Sequence, residues 1–180
     1  MTTGYGATSM SAIAARLGGS KTTLWTYFPS KQELFAAVAD DLVSRYGKAL
    51  EVQLDPRGQL ATELGRFARA LLLTLHTPAV IDMYRMVIGE AGRFPELGAM
   101  LYERGAARGK GRLAEYFETC MSMGKLRRGY EWRAADHFTS MLQMGSVQRR
   151  LLGLTDRPAD GDLDREADDA VGTFLHGWAA

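Results

Sequence analysis

Internal disulfides are out of reach of this sequence, because Cys120 is its one cysteine. An unpaired thiol fits a reducing compartment better than an oxidising one. No run of apolar residues approaches the ~20 needed to span a bilayer, and the opening MTTGYGATSM lacks the apolar core of a signal peptide. A cytoplasmic location with no membrane partner is the expectation. No stretch alternates with period two, and there is no internal repeat or low-complexity tract, so strands and solenoids have nothing to build on. The three histidines stand far apart without cysteine or carboxylate at ligand spacing, which disfavours a metal site. GAARGKG (105–111) misses a phosphate loop by one residue of spacing, and no Ser or Thr follows its lysine. No Ser-His-Asp arrangement is suggested, and nothing supports covalent catalysis through Cys120. The chain is therefore not read as an enzyme, and no catalytic residue, metal or cofactor is assigned.

Acidic side chains are absent from residues 1–32, which hold Arg16, Lys21 and Lys31 and so carry +3. With 22 basic and 21 acidic residues in total, the remainder has 19 against 21, or −2. A basic start on a mildly acidic body hints that the first segment meets phosphate, although three charges also suit a solvated face. The apolar share of 46% and charged share of 24% are those of a globular chain long enough for one well-buried domain, or a small module fused to a larger one.

What is present reads as helix almost throughout. Met10, Ile13, Ala14 and Leu17 form a short amphipathic stripe, capped at its start by Thr8 or Ser9 and ended by Gly18-Gly19. A second short helix over residues 21–28 follows Ser20 as N-cap and stops at Pro29. Ser30 and Glu33 have capping-box spacing and open a longer helix with Leu34, Phe35, Val38 and Leu42 on one side. Leu60, Leu64, Phe67, Leu71 and Leu75 line the next, which ends before Thr77-Pro78; Pro78 suits the first turn of its successor, carrying Val80, Ile81, Tyr84, Val87 and Ile88. Phe94-Pro95 opens another, whose face continues through Leu113, Tyr116, Phe117, Cys120 and Met121 to Gly124. Phe138, Met141, Leu142 and Gly145 mark one more. GLTDRPADGD (153–162) is a loop by composition, and Val171, Phe174, Leu175 and Trp178 define the last helix. The fold class is all-α.

Within residues 9–28 the order helix, glycine turn, helix matches a helix-turn-helix, whose second helix enters the DNA major groove. Lys21, Thr22, Thr23 and Thr26 supply donors for base edges and phosphates. Trp25 and Tyr27 are placed so that the apolar residues of this helix cannot share one face. They suit a groove rim, where indole N–H and phenol O–H donate to phosphate. An αα-corner with its aromatics docked on the following domain is the alternative from pattern alone.

Taken together, GYGATSMSAIAARLGGSKTTLWTYFPSKQELFAAV resembles the DNA-binding region of the TetR family of one-component bacterial repressors. The shared features are Gly4-Tyr5, Thr8-Ser9-Met10, Ile13-Ala14, Gly18 with Ser20, and Trp25-Thr26-Tyr27-Phe28 with Lys31. MYRMVIGEAGRFPELGAMLYERG resembles the regulatory domain of one TetR subgroup. The resemblance implies phosphate contacts from Thr8, Trp25, Tyr27 and Lys31, base-facing roles for Lys21, Thr22 and Thr23, and capping by Ser20. It implies a DNA-binding domain over residues 1–46, and a ligand-binding and dimerisation domain over 47–180. Two departures stand out. The family has a whole helix before the Gly-aromatic entry, whereas only Met1, Thr2 and Thr3 precede Gly4, so a missing or truncated first helix is expected. Gly19 replaces an apolar residue and forfeits burial of about 1 kcal/mol.

The remaining helices are rich in methionine, a side chain that adapts to irregular guests. Phe67, Met83, Tyr84, Met86, Met100, Phe117, Met121, His137 and Met141 are the candidate pocket residues, although a stripe of this kind is often plain core. Met123, Met144 and Trp132 belong to the same group, and His76 is a second histidine able to orient a polar group. Gly145 and Ser146 in one late helix and Gly172 and Gly177 in the other permit close packing; in the resembled family these helices pair across a dimer twofold. The expected function is a dimeric repressor on a palindromic double-stranded DNA operator, released by a small lipophilic effector. The alternative is an all-α ligand-binding protein that no longer binds DNA.

Overall fold

The computed structural model describes residues 4–18 and 21–180, the Lys21 side chain excepted. Its helices are α1 (Met10–Arg16), α2 (Lys21–Tyr27), α3 (Lys31–Tyr46), α4 (Lys48–Glu51), α5 (Leu60–Leu75), α6 (Pro78–Glu90), α7 (Pro95–Leu101), α8 (Ala107–Ser122), α9 (Glu131–Gln143), α10 (Ser146–Leu151) and α11 (Asp160–Trp178). A π-helical turn, Tyr102–Ala106, joins α7 to α8. The fold is all-α; a lone antiparallel bridge between Leu126 and Ala179 is the one extended pairing among the described residues.

The helix boundaries follow from local chemistry. Ser9 accepts from Ala12 N at 3.1 Å to start α1, Gly18 ends it at φ 67°, and Ser30 accepts from Glu33 N at 3.1 Å to start α3. Pro78 and Pro95 occupy first turns, where a missing N–H costs nothing. Three features differ from the sequence expectation. The short α4 was not expected. The helix around Phe138 stops at Gln143, and Gly145 then starts α10 separately. The loop after Gly153 is shorter than its composition suggests, because α11 begins at Asp160.

Long-range polar contacts explain the first two. Arg112 of α8 donates to the Leu50 and Val52 carbonyls, so a cation from 60 residues away satisfies the end of α4. Glu166 of α11 accepts Ser146 N at 2.9 Å and plugs the start of α10; a β-carbon at Gly145 would collide with that carboxylate. The same device recurs at other helix ends. Arg85 donates to the carbonyls of Arg150 and Leu151, and Arg150 donates to that of His76, which caps α5. His76 is fully buried, with Nε2 2.8 Å from Ser146 Oγ. Burial and the neighbouring Arg150 push its pKa down to about 4, so it is neutral at pH 7.

Two cores result. The larger joins α5, α8, α9 and α11 around Phe67, Phe117, Phe138 and Phe174, with Phe117 and Phe174 stacked at 5.1 Å and Phe138 edge-on to Phe174 at 5.1 Å. Each such ring removed from water is worth about 1.5–3 kcal/mol. Trp178 stacks on Phe174 at 6.0 Å and is buried within the chain. The smaller core, Tyr5, Phe35, Met83, Val87 and Leu97, joins the N-terminal helices to α6 and α7.

Candidate nucleic-acid interface and ligand cavity

Packing of α1 on α2 leaves one face of α2 outside. Leu24 and Phe28 turn partly inward, while Thr22, Thr23, Trp25, Thr26 and Tyr27 are exposed, Trp25 by 43% and Tyr27 by 74%. Two large rings in water on a seven-residue helix form an amphipathic surface with no carboxylate on it. Thr26 Oγ1 donates back to the Thr22 carbonyl at 2.8 Å, so its acceptor side faces outward. Lys21 lies in the first turn of α2, and Ser20 lies outside the described residues, as does Gly19.

Two expected phosphate contacts sit differently. Thr8 is half-buried and donates to the Gly4 carbonyl at 2.9 Å. Lys31 is half-buried too: its ammonium donates to the carbonyls of Tyr5 at 2.7 Å and Thr8 at 3.0 Å, and lies 4.1 Å above the Tyr5 ring. Lys31 thereby pins the entry turn to α3, with its charge held inside the fold. That turn also meets α6. Gly6 N donates to Glu90 Oε1 at 3.1 Å, and a β-carbon at Gly4 would collide with the same oxygen, which is the physical reason for glycine beside Tyr5. Between α1, α3 and α6 runs an open apolar groove of about 570 Å³, lined by Ile13, Leu17, Phe35, Val38 and Met83 among others, with Leu17 71% exposed.

A smaller and more enclosed cavity, about 90 Å³, lies between the C-terminal half of α3, α4, α5, α6, the π-helical turn, α8 and α9. Of the expected pocket residues, Phe67, Met83 and Tyr84 line it. The other six do not. Phe117 and Met121 are buried in the larger core, and Met86 and Met100 pack on the smaller one. Met141 lines a shallow hollow against α11, and His137 is exposed with its ring 5.7 Å from Trp178. Methionine content was thus a poor guide to the wall. Five leucines, Leu42, Leu50, Leu71, Leu75 and Leu101, line it, and Ala39, Gly47, Gly105, Ala106 and Gly109 leave space by being small. The π-helical turn adds to it, since its widened ring swings Gly105 and Ala106 against the cavity; such turns recur at functional positions.

The polar inventory of the cavity is short. Thr74 Oγ1 donates to the Tyr46 and Ala70 carbonyls, and Thr139 Oγ1 to that of Ala135. Tyr84 is half-buried, and burial raises its pKa, so it remains a phenol at neutral pH. Lys110 Nζ pairs with Asp136 at 2.7 Å. Met83 has a double position, lining both the cavity and the groove while belonging to the smaller core. No group of three or more His, Cys, Asp or Glu among the described residues is arranged to hold a metal ion. No single helix among them is long and apolar enough to cross a membrane; α5 and α6 reach that length only as a pair bent by 70°, and both contribute to the cores.

Comparison with known proteins gives two family matches. Residues 62–180 match the AefR-like transcriptional repressor C-terminal domain, and residues 1–38 match the bacterial regulatory proteins of the tetR family. No curated protein matches the chain. Among solved structures, the flavonoid-responsive regulator FrrA is 32% identical, with a TM-score of 0.81 over 98% of this chain and 89% of that one. A TetR transcriptional regulator from Agrobacterium tumefaciens is 28% identical, with a TM-score of 0.75 over 96% and 84%. A TetR-family regulator from Pseudomonas syringae pv. tomato DC3000, 23% identical with a TM-score of 0.80 over 99% and 89%, shares the fold.

Proposed function

The chain belongs to the TetR family of bacterial transcription regulators, a family without enzymatic activity, and we propose that it is a dimeric repressor whose hold on a palindromic operator is released by a small lipophilic effector. The observation that carries this reading is the course of α6. Its first half lines the cavity with Val80, Met83 and Tyr84; its second half packs Val87 under Tyr5 and Phe35 and ends with Glu90 on the entry turn to α1. A guest that displaces α6 therefore displaces the helices that carry the DNA-reading face. Residues 1–46 form the reading module and 47–180 the ligand-binding and dimerisation domain, with the end of α3 serving both, since Ala39, Leu42 and Val43 wall the cavity. The relative named for flavonoid response supports an effector of aromatic, largely apolar character.

In this reading Thr22 and Thr23, with Lys21, face bases, while Trp25 and Tyr27 contact the sugar-phosphate backbone. Two recognition helices must reach half-sites about 34 Å, or one helical turn, apart or a multiple of it, which a twofold dimer provides. The dimer surface is assigned to α9, α10 and α11, where Met144, Leu152, Gly172 and Gly177 are exposed. Effector binding need favour the released state by only a few kcal/mol to empty the operator.

The test is fluorescence anisotropy on labelled DNA flanking the chain's own gene, across a salt series and with an apolar aromatic compound added. Sequence-selective binding that the compound abolishes is the expected result. Uptake of the compound with no selective DNA binding would instead favour the alternative, a ligand-binding helical protein that no longer reads DNA.

A further inference from the structure

The cavity is lined by one cation, Lys110, and by no anion. No carboxylate lines it, and the hydroxyl protons of Thr74 and Thr139 are already given to backbone carbonyls. Neither Tyr84 Oη nor the Gln143 amide makes a hydrogen bond among the described residues, and both line the space. Lys110 lines it as well, with its side chain 17% exposed, whereas its partner Asp136 is 55% exposed and stands outside the lining. An ion pair with so wet a carboxylate contributes little, because water competes for the oxygen. An anionic oxygen brought in from the cavity side meets Lys110 in drier surroundings, where a charge-assisted bond is stronger.

We infer that the effector is a compact apolar acid bound as its anion, with Lys110 as the charge partner released from Asp136 and Tyr84 and Gln143 as neutral donors. This rests on the reading of the cavity as the effector site. The ligand body fills the leucine-lined space, and the anion lies toward the α8–α9 wall, where Lys110 and Gln143 stand. A neutral amide of the same shape loses the charge-assisted bond and keeps only the apolar contacts.

Calorimetric titration of the full chain with 3-phenylpropionate and with 3-phenylpropanamide at pH 7.5 tests the inference. The acid is expected to bind about tenfold more tightly than the amide. Lys110→Met should erase that preference while leaving the amide unchanged, and Asp136→Asn should strengthen the acid by removing the competing oxygen. Lys110→Gln, checked like the others by circular dichroism, guards against a folding defect in the methionine variant. Equal affinities in the native chain, or a preference that survives in both Lys110 variants, would overturn the inference. The neutral fluorophore N-phenyl-1-naphthylamine is titrated in parallel. If it binds while acid and amide are equal, the anion assignment fails and the effector cavity stands; if fluorophore, acid and amide all fail to bind, both fall.

Discussion

His76 ties stability to pH through one buried ring. It caps α5, touches Ser146 of α10 and lies against Arg150, with Arg157 adding positive potential and Glu166 partly opposing both. Its pKa falls from 6.5 in the unfolded chain to about 4 in the fold. Between those values the unfolded chain holds a proton that the native chain refuses, so unfolding takes up protons and stability falls as pH falls. Above pH 6.5 the neutral ring contributes fully; below about 4 that contribution, about 3 kcal/mol in all, is gone. From pH 7.5 to pH 5.0 about 2 kcal/mol should be lost through this residue. His76→Gln keeps a neutral hydrogen-bonding group near the Ser146 hydroxyl and has nothing to titrate. Urea unfolding of both proteins at fixed protomer concentration, followed by far-ultraviolet circular dichroism, gives their stability difference at each pH. That difference should move by about 2 kcal/mol against the native chain on acidification, while carboxylate effects common to both cancel. If it agrees within about 0.5 kcal/mol at the two pH values, His76 is not the depressed, buried base described above.

Three further outcomes are expected. Lys31→Ala should weaken binding to every DNA sequence and lower the melting temperature without changing the salt slope, since its ammonium serves the Tyr5 and Thr8 carbonyls; a slope reduced by about one unit would restore it to a phosphate. Thr22→Ala should shift operator preference in a binding-site selection, and a uniform loss on all DNA would remove Thr22 from the base-reading set. Gly172→Arg should turn the proposed dimer monomeric by light scattering while leaving the fold intact, because a side chain there meets nothing within 4 Å in the chain and helix propensity improves by up to about 1 kcal/mol; a dimer mass in both proteins would exclude α11 from the interface. Trp178 is the poorer probe of that interface, being buried on Phe174, so that its loss would damage the core first.

The N-terminal helices were legible because their signals are local. Ser9, Gly18, Pro29 and Ser30 each act within a few residues, and the structure uses three of them as caps or stops by hydrogen bond or positive φ. The aromatic core helices were legible for a related reason, since Phe67, Phe117, Phe138 and Phe174 sit on strong 3.6-residue stripes. Alpha-4 and the break before α10 were not, because Arg112 and Glu166 create them from distant parts of the chain. The cavity was least legible. Methionines announce flexible apolar surface, but a cavity is made where volume is missing, and Gly105, Ala106 and Gly109 look in sequence like the remains of a phosphate loop. The surroundings of Lys31 were hidden for the same reason: a lysine in a basic segment reads as a phosphate ligand, and the carbonyls of Tyr5 and Thr8 that its ammonium meets come from more than 20 residues away.

The contact of Glu90 with Gly4 and Gly6 bears on how such regulators can be recombined. A swap of the first 46 residues between relatives looks modular on paper, since one segment reads DNA and the other accepts the ligand. Here the recipient's α6 dictates which backbone the donor segment must bring to its first turn. A graft with alanine at the position of Gly4 would meet the carboxylate head-on, and one without a bulky ring at Tyr5 would leave Phe35 and Val87 without their cover. Chimeras that carry the donor's own α6 and α7 along with its reading helices should therefore retain ligand control, whereas cuts made at residue 46 should yield proteins that fold in two halves and communicate poorly.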